Sequence, residues 1–164
     1  MPDRPELDIE ELLRRLTIRG VDFVIIGGIA AVLWGSARNT FDLDISFALD
    51  DGNLDALGSV LTELRASLRG VHDEVPFVPD ARALRHVELL TLRTSVGDID
   101  LLAHPAGSPG YNSLRKRAAR MDVGDFHVLV ASLDDLIAMK QAAGRAKDLA
   151  DIEELEAIRR LSGS

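Results

Sequence analysis

The apolar positions of the chain fall into two alternating periods. Leu7, Ile9, Leu12, Leu13 and Leu16 recur at helical spacing and Gly20 closes the run, which predicts an amphipathic helix over 7–19. Residues 21–26 form a short β-rich run stopped by Gly27-Gly28, the pattern of a buried strand. The alanine- and leucine-rich stretch 29–34 reads as a helix ending at Gly35. Residues 41–47 alternate Phe, Asp, Leu, Asp, Ile, Ser, Phe, the period-two signature of a half-buried strand.

Helical spacing returns over 54–68, with Gly70 as the stop. Two strands, 86–94 and 96–103, meet near Ser95-Val96-Gly97, and the Pro- and Gly-rich residues 104–110 form a loop. A helix over 111–120 and a strand over 126–130 follow. Ser132-Leu133-Asp134-Asp135 has the form of a helix start, and helices run from there to about residue 161 with a break near Gly144. The order α-β-α-β-α-β-β-α-β-α-α predicts a mixed β-sheet flanked by helices, in the α+β (α/β) class. No linker or repeat divides it, so residues 1–164 are expected to form a single domain with the helices of about 132–161 packed on it.

Composition narrows the functional classes. The formal charge is −8, which argues against bulk DNA binding, since that needs a basic face. There is no cysteine, so any metal must be held by oxygen ligands or by histidine, and His72, His86, His104 and His127 are scattered without ligand spacing. The start Met1-Pro2-Asp3-Arg4-Pro5-Glu6 lacks a signal-peptide core, and the apolar stretch 21–34 falls short of the roughly 20 residues that span a bilayer. A soluble, cytoplasmic protein without membrane partners is expected.

Three features carry chemistry. Gly27-Gly28 lies between a strand and a helix, where backbone can approach a ligand and helix N–H groups suit a phosphate. A plain tight turn would use the same residues. Asp42 and Asp44 share one strand face, roughly 7 Å apart at about 3.3 Å of rise per residue. Like charges held so close favour a bound cation, and oxygen-only ligation suits Mg2+; a solvent-facing polar face is the alternative. Gly97-Asp98-Ile99-Asp100 repeats the pattern on a second strand, and a third carboxylate there would complete a two-metal phosphoryl-transfer site. Asp98 and Asp100 share parity, so periodicity cannot choose between them.

Lysine is scarce, only Lys116, Lys140 and Lys147, against sixteen arginines. Lys140 and Lys147 would present two cations on one side if their helix is continuous, with a surface role for Lys140 as the alternative. Arg38 precedes the Asp-x-Asp strand and would fix a phosphate or pair with Asp42 or Asp44. Asp148 and Asp151 are expected to hold Arg145 and Lys147 in place. Arg115, Lys116, Arg117 and Arg120 form a local basic patch on the expected helix, for RNA phosphates or simply for solvent.

The run Gly27-Gly28, Gly35, Arg38, Thr40, Asp42, Asp44 resembles the first signature of the nucleotidyltransferase superfamily with the DNA polymerase β-like fold. Its form is similar to the AbiEii-like (MenT-like) bacterial toxin nucleotidyltransferases and their stand-alone relatives. Lys140, Arg145, Lys147-Asp148 and Asp151 resemble that group's Lys…Arg-x-x-Asp helical motif, so matches span about residues 25–155, with nothing specific over 51–85. The resemblance implies an enzyme of the EC 2.7.7 type that moves a nucleoside monophosphate from an NTP such as ATP to a hydroxyl acceptor. It implies Mg2+, or Mn2+ in its place, on Asp42, Asp44 and Asp100, with Asp100 as ligand or as base. Gly27 and Gly28 would bind the triphosphate, with Arg38, Thr40, Lys140, Arg145 and Lys147 around it and Lys140 acting in catalysis. Many family members carry Ser after the first Gly; Gly28 leaves only backbone donors. The acceptor implied is a tRNA 3′ end, as for a toxin with an antitoxin partner, or alternatively a small molecule of the antibiotic type or a protein hydroxyl. A non-catalytic nucleotide-binding or regulatory module on the same fold, or an antitoxin-like partner, is the alternative class.

Overall fold

The structure, a computed structural model, describes residues 6–70 and 78–163. His72 and the first five residues, on which the absence of a signal peptide partly rested, lie outside the described residues. The elements run α1 (Ile9–Ile18), β1 (Phe23–Ile26), α2 (Gly27–Trp34), β2 (Asp42–Phe47), α3 (Asp51–Glu63) and β3 (Ser67–Leu68). They continue α4 (Ala81–Arg85), β4 (Leu89–Thr94), β5 (Gly97–Leu102), α5 (Tyr111–Arg117), β6 (Ala119–Val123), β7 (Phe126–Val130), α6 (Leu133–Ala143) and α7 (Ala146–Leu161). One seven-stranded mixed sheet has the order β3-β4-β5-β2-β1-β7-β6. The α+β architecture read from periodicity is the one observed.

The centre of the sheet explains the uninterrupted apolar run of β1. All four residues of β1 are buried between β2, antiparallel, and β7, parallel. A strand covered on both faces has no polar side to display. Neighbouring β2 alternates instead. Leu43, Ile45 and Phe47 are fully buried in the core, while Asp42 and Asp44 face the other way. β5 lies parallel to β2 with Asp42 opposite Asp98 and Asp44 opposite Asp100. Among the described residues no helix is long and apolar enough to cross a membrane.

Three elements depart from the pattern reading. The helix expected over 54–68 starts earlier, at Asp51, because Asp50 caps it by accepting from the Asn53 amide. It also ends earlier: Arg65 takes a left-handed turn (φ 55°), and Ser67–Leu68 becomes an edge strand on β4. The helix expected over 111–120 stops at Arg117, and Ala119–Val123 pairs antiparallel with β7 around a turn at Gly124 and Asp125. Met121 and Val123 alternate with Arg120 and Asp122, a strand signature masked by the charged helix before it. The strand expected from residue 86 starts only at Leu89, after the short helix α4, which Asp80 caps.

Asn53 ties α3 to the sheet. Its Oδ1 accepts from the Asp22 amide at 2.6 Å, and its Nδ2 donates to the carbonyls of Asp22 and Ala48 at 3.0 and 2.8 Å. Asn53→Ala strands these backbone groups, so it should destabilise by about 2–3 kcal/mol, or roughly 5–10 °C. Thermal unfolding checks this; a change below about 2 °C would show that water replaces the amide without penalty.

Candidate active site

The site is assembled by register. Ile26, the last residue of β1, pairs with Asp44, so the chain must turn into α2 beside that carboxylate. Gly27 makes the turn with φ +71°, and a Cβ on it would lie 2.1 Å from Asp44 Oδ2. Both the left-handed backbone and the contact exclude a side chain here. Gly28 has a different reason: its missing Cβ makes room for the Thr40 methyl, which would sit 2.8 Å away. The second glycine thus packs against the β2 approach, while the first carries the close approach to the acids. Thr40 Oγ1 is buried with no hydrogen-bond partner among the described residues.

On the other side of Asp44, β5 supplies the next carboxylate. One ligand oxygen each from Asp42, Asp44 and Asp100 lies within 4.8 Å of the others. Asp98 and Asp100 differ in their surroundings: Asp98 is 0% exposed and faces Arg69 and Arg93, whereas Asp100 is the one grouped with Asp42 and Asp44.

This clustering has an electrostatic price. Burial, then the charges of Asp100 and Asp42, push the Asp44 carboxyl up to about 8. Burial, with the hydrogen bond that its protonated form donates to Asp42, pushes Asp100 up to about 6, against the pull of Arg69. Asp44 Oδ1 is buried and has no hydrogen-bond partner among the described residues. An orphaned, desolvated carboxylate oxygen beside two further acids fits a hard divalent cation.

A cleft of ≈220 Å³ opens from this point. It is lined by Ile26, Gly27 and Asp44, by Leu102, Pro105 and Ala106, and by Leu136, Met139, Lys140, Ala143 and Arg145 on and after α6. Ser132 caps α6 by accepting from the Asp135 amide, as its sequence predicts. Lys140 Nζ donates to Asp151 at 3.0 Å and to Asp148 at 3.4 Å. Arg145 Nε donates to Asp148 at 2.9 Å and its amide donates to the same carboxylate, closing a capping box at the start of α7. That guanidinium holds Asp148 well below the usual carboxylate range, at about 2.

The remaining sequence candidates sort as follows. Arg38 pairs with Asp151 rather than with Asp42 or Asp44. Asp151 therefore joins Lys140 and Arg38, not Lys147. The helix is not continuous: Gly144 ends α6 in the left-handed conformation, so Lys140 and Lys147 lie on different helices. Lys147 is exposed and does not line the cleft. The basic patch is also dispersed. Arg117 forms a two-pronged pair with Asp135, with contacts of 3.0 and 2.8 Å, and Arg120 belongs to β6. One residue escaped the sequence reading: Arg69, from a segment with no motif, which pairs with Asp98 and Asp100.

The family model described as "Nucleotidyltransferase of unknown function (DUF6036)" matches residues 7–163. The chain belongs to this nucleotidyltransferase family. No curated protein matches its sequence. Solved structures share the fold of this nucleotidyltransferase at low identity. The lincosamide antibiotic adenylyltransferase LnuA, bound to lincomycin, is 18% identical with a TM-score of 0.62, over 94% of this chain and 99% of that one. An antigenic nucleotidyltransferase-like protein from Paracoccidioides brasiliensis is 20% identical, TM-score 0.56, over 93% and 74%. ANT(2″)-Ia in complex with adenylyl-2″-tobramycin is 15% identical, TM-score 0.54, over 93% of each chain. Nucleotidyltransferases generally use a divalent metal ion and an NTP, and the acidic triad here could hold such an ion.

Proposed function

We propose that this chain transfers a nucleoside monophosphate from an NTP to a hydroxyl on a small-molecule acceptor, with Mg2+, or Mn2+ in its place, on Asp42, Asp44 and Asp100. The observation that carries the reading is the convergence of those three carboxylates, within 4.8 Å, beside the Gly27 turn and a cleft holding Lys140. A divalent ion bound there would draw charge from the α-phosphate and favour departure of pyrophosphate. The chain's own groups do the rest. The first amides of α2 and the side chains of Lys140 and Arg145 bind the triphosphate, and the apolar wall of Leu102, Leu136 and Met139 excludes water from it. Asp100, on the neighbouring strand, orients the acceptor hydroxyl and takes its proton at a carboxylate oxygen. Alignment of the two substrates supplies much of the rate.

The net charge of −8, and the engagement of Arg117 by Asp135, support a small-molecule acceptor over an RNA backbone. LnuA and ANT(2″)-Ia, whose chains this one covers almost completely, are antibiotic-modifying proteins. The AbiEii/MenT-like reading, a toxin acting on a tRNA 3′ end beside an antitoxin, rests on sequence motifs alone. Incubation with each α-labelled NTP, Mg2+ and either a panel of hydroxylated antibiotics or total RNA tests the proposal. Label should enter a small molecule, and not with Asp42→Ala; label in RNA would replace the acceptor, and no pyrophosphate release with any acceptor would reject transfer.

Lys140→Ala should raise the KM for NTP about 10–100-fold, the loss of one charge-assisted phosphate contact. Steady-state kinetics checks this; an unchanged KM would place Lys140 in the service of Asp148 and Asp151 only.

A further inference from the structure

Arg69 stands at the centre of the acidic cluster although it belongs to no motif. It follows β3, and its amide donates to the Thr91 carbonyl at 3.1 Å, which fixes its backbone on the outer side of β4. Thr91 is opposite Asp100 and Arg93 is opposite Asp98 in the β4–β5 pairing. From there the guanidinium reaches across β4 to the carboxylate face. One terminal nitrogen lies 2.8 Å from Asp100 Oδ1 and 3.9 Å from Asp42 Oδ2, and the other lies 3.2 Å from Asp98 Oδ2. It makes no ion pair with Asp44, which lies on the side of Gly27 and the Lys140 cleft.

Asp98 explains why this cation stays. Its side chain is 0% exposed, and a fully buried carboxylate needs a charged partner. Arg69 pairs with it at 3.2 Å, closer than Arg93 at 3.9 Å. A divalent ion approaching Asp100 Oδ1 from that side must displace a guanidinium that Asp98 anchors, whereas the Asp44 side presents an oxygen with no hydrogen-bond partner among the described residues. We propose that Arg69 is a built-in cation and positioning residue: anchored on Asp98, it holds Asp100 and fills the position a second divalent ion would take, so the site binds one divalent ion, on the Asp44 side. This rests on the metal-dependent transferase reading above and gives that reading a stoichiometry.

The test counts Mn2+ by electron paramagnetic resonance in the presence of α,β-methylene-ATP, with folding checked by circular dichroism. Wild type and Arg69→Lys should hold one Mn2+ per chain. Arg69→Gln should hold two. Because Arg69→Gln also removes the charge paired with buried Asp98, Arg69→Gln combined with Asp98→Asn gives a second neutral variant, also expected to hold two. Two ions in the wild type, or one in both neutral variants, would overturn the role of Arg69 and leave the transferase reading standing. No ion in the wild type would overturn both.

Discussion

Asp44→Asn should abolish nucleotide transfer, by about 10³-fold or more, and at the same time make the ion-free protein more stable. The loss follows from removing the one carboxylate that borders both the Gly27 turn and the acidic cluster. The gain follows from linkage. Asp44 titrates near 8 in the fold against 3.8 for the free group. The folded state keeps a proton that the unfolded chain releases, so stability falls as pH rises from about 4 to about 8, and the full penalty applies above that. Asp100, near 6, adds to the fall over about 4 to 6. Because the cleft admits water, the gain from Asp44→Asn at pH 8 should be about 2 kcal/mol, or about 4–8 °C. Melting curves in EDTA from pH 5 to 8 check the sign: wild type should lose stability, the variant much less, and Mg2+ should restore the wild type. A variant that melts lower than wild type at pH 8 would make Asp44 structural.

Gly27→Ala should both destabilise the fold and abolish transfer. The position needs φ +71°, and the new Cβ would meet Asp44 Oδ2 at 2.1 Å and its Cγ at 2.9 Å. Strain in the backbone and the clash together should cost about 2–5 kcal/mol, and transfer should fall below detection because Asp44 must move. The cause can be separated. Adding Asp44→Ala removes the two shortest contacts, so the double variant should recover most of the melting temperature and none of the activity. If the single variant melts like wild type, the turn does not have the tight geometry described.

Much of this site was legible because its parts are local. The Gly27-Gly28 stop after an apolar strand, the alternation around Asp42 and Asp44, and the Ser132 cap each declare themselves within a few residues. The illegible parts are those set by pairing between distant segments. Asp98 and Asp100 have the same parity, and only burial against Arg69 and Arg93 sets Asp98 apart from the group of Asp42, Asp44 and Asp100. Arg69 itself is one of sixteen arginines, and its role depends on an edge strand of two residues. Lys147 was misplaced for a local reason: a single left-handed Gly144 breaks the helix that would have aligned it with Lys140. The acidic helix α7 then takes Arg38 and Lys140 through Asp151, a contact between residues 113 and 11 positions apart that spacing cannot announce.

The most direct measurement is a crystal structure of the protein with Mn2+ and α,β-methylene-ATP, with the ion located by its anomalous scattering. The account predicts a peak on the Asp44 side of the cluster held by the carboxylates of Asp42, Asp44 and Asp100, with the triphosphate on the Gly27-Gly28 turn and Lys140 against it. An ion or a triphosphate bound elsewhere, with the three carboxylates untouched, would contradict it.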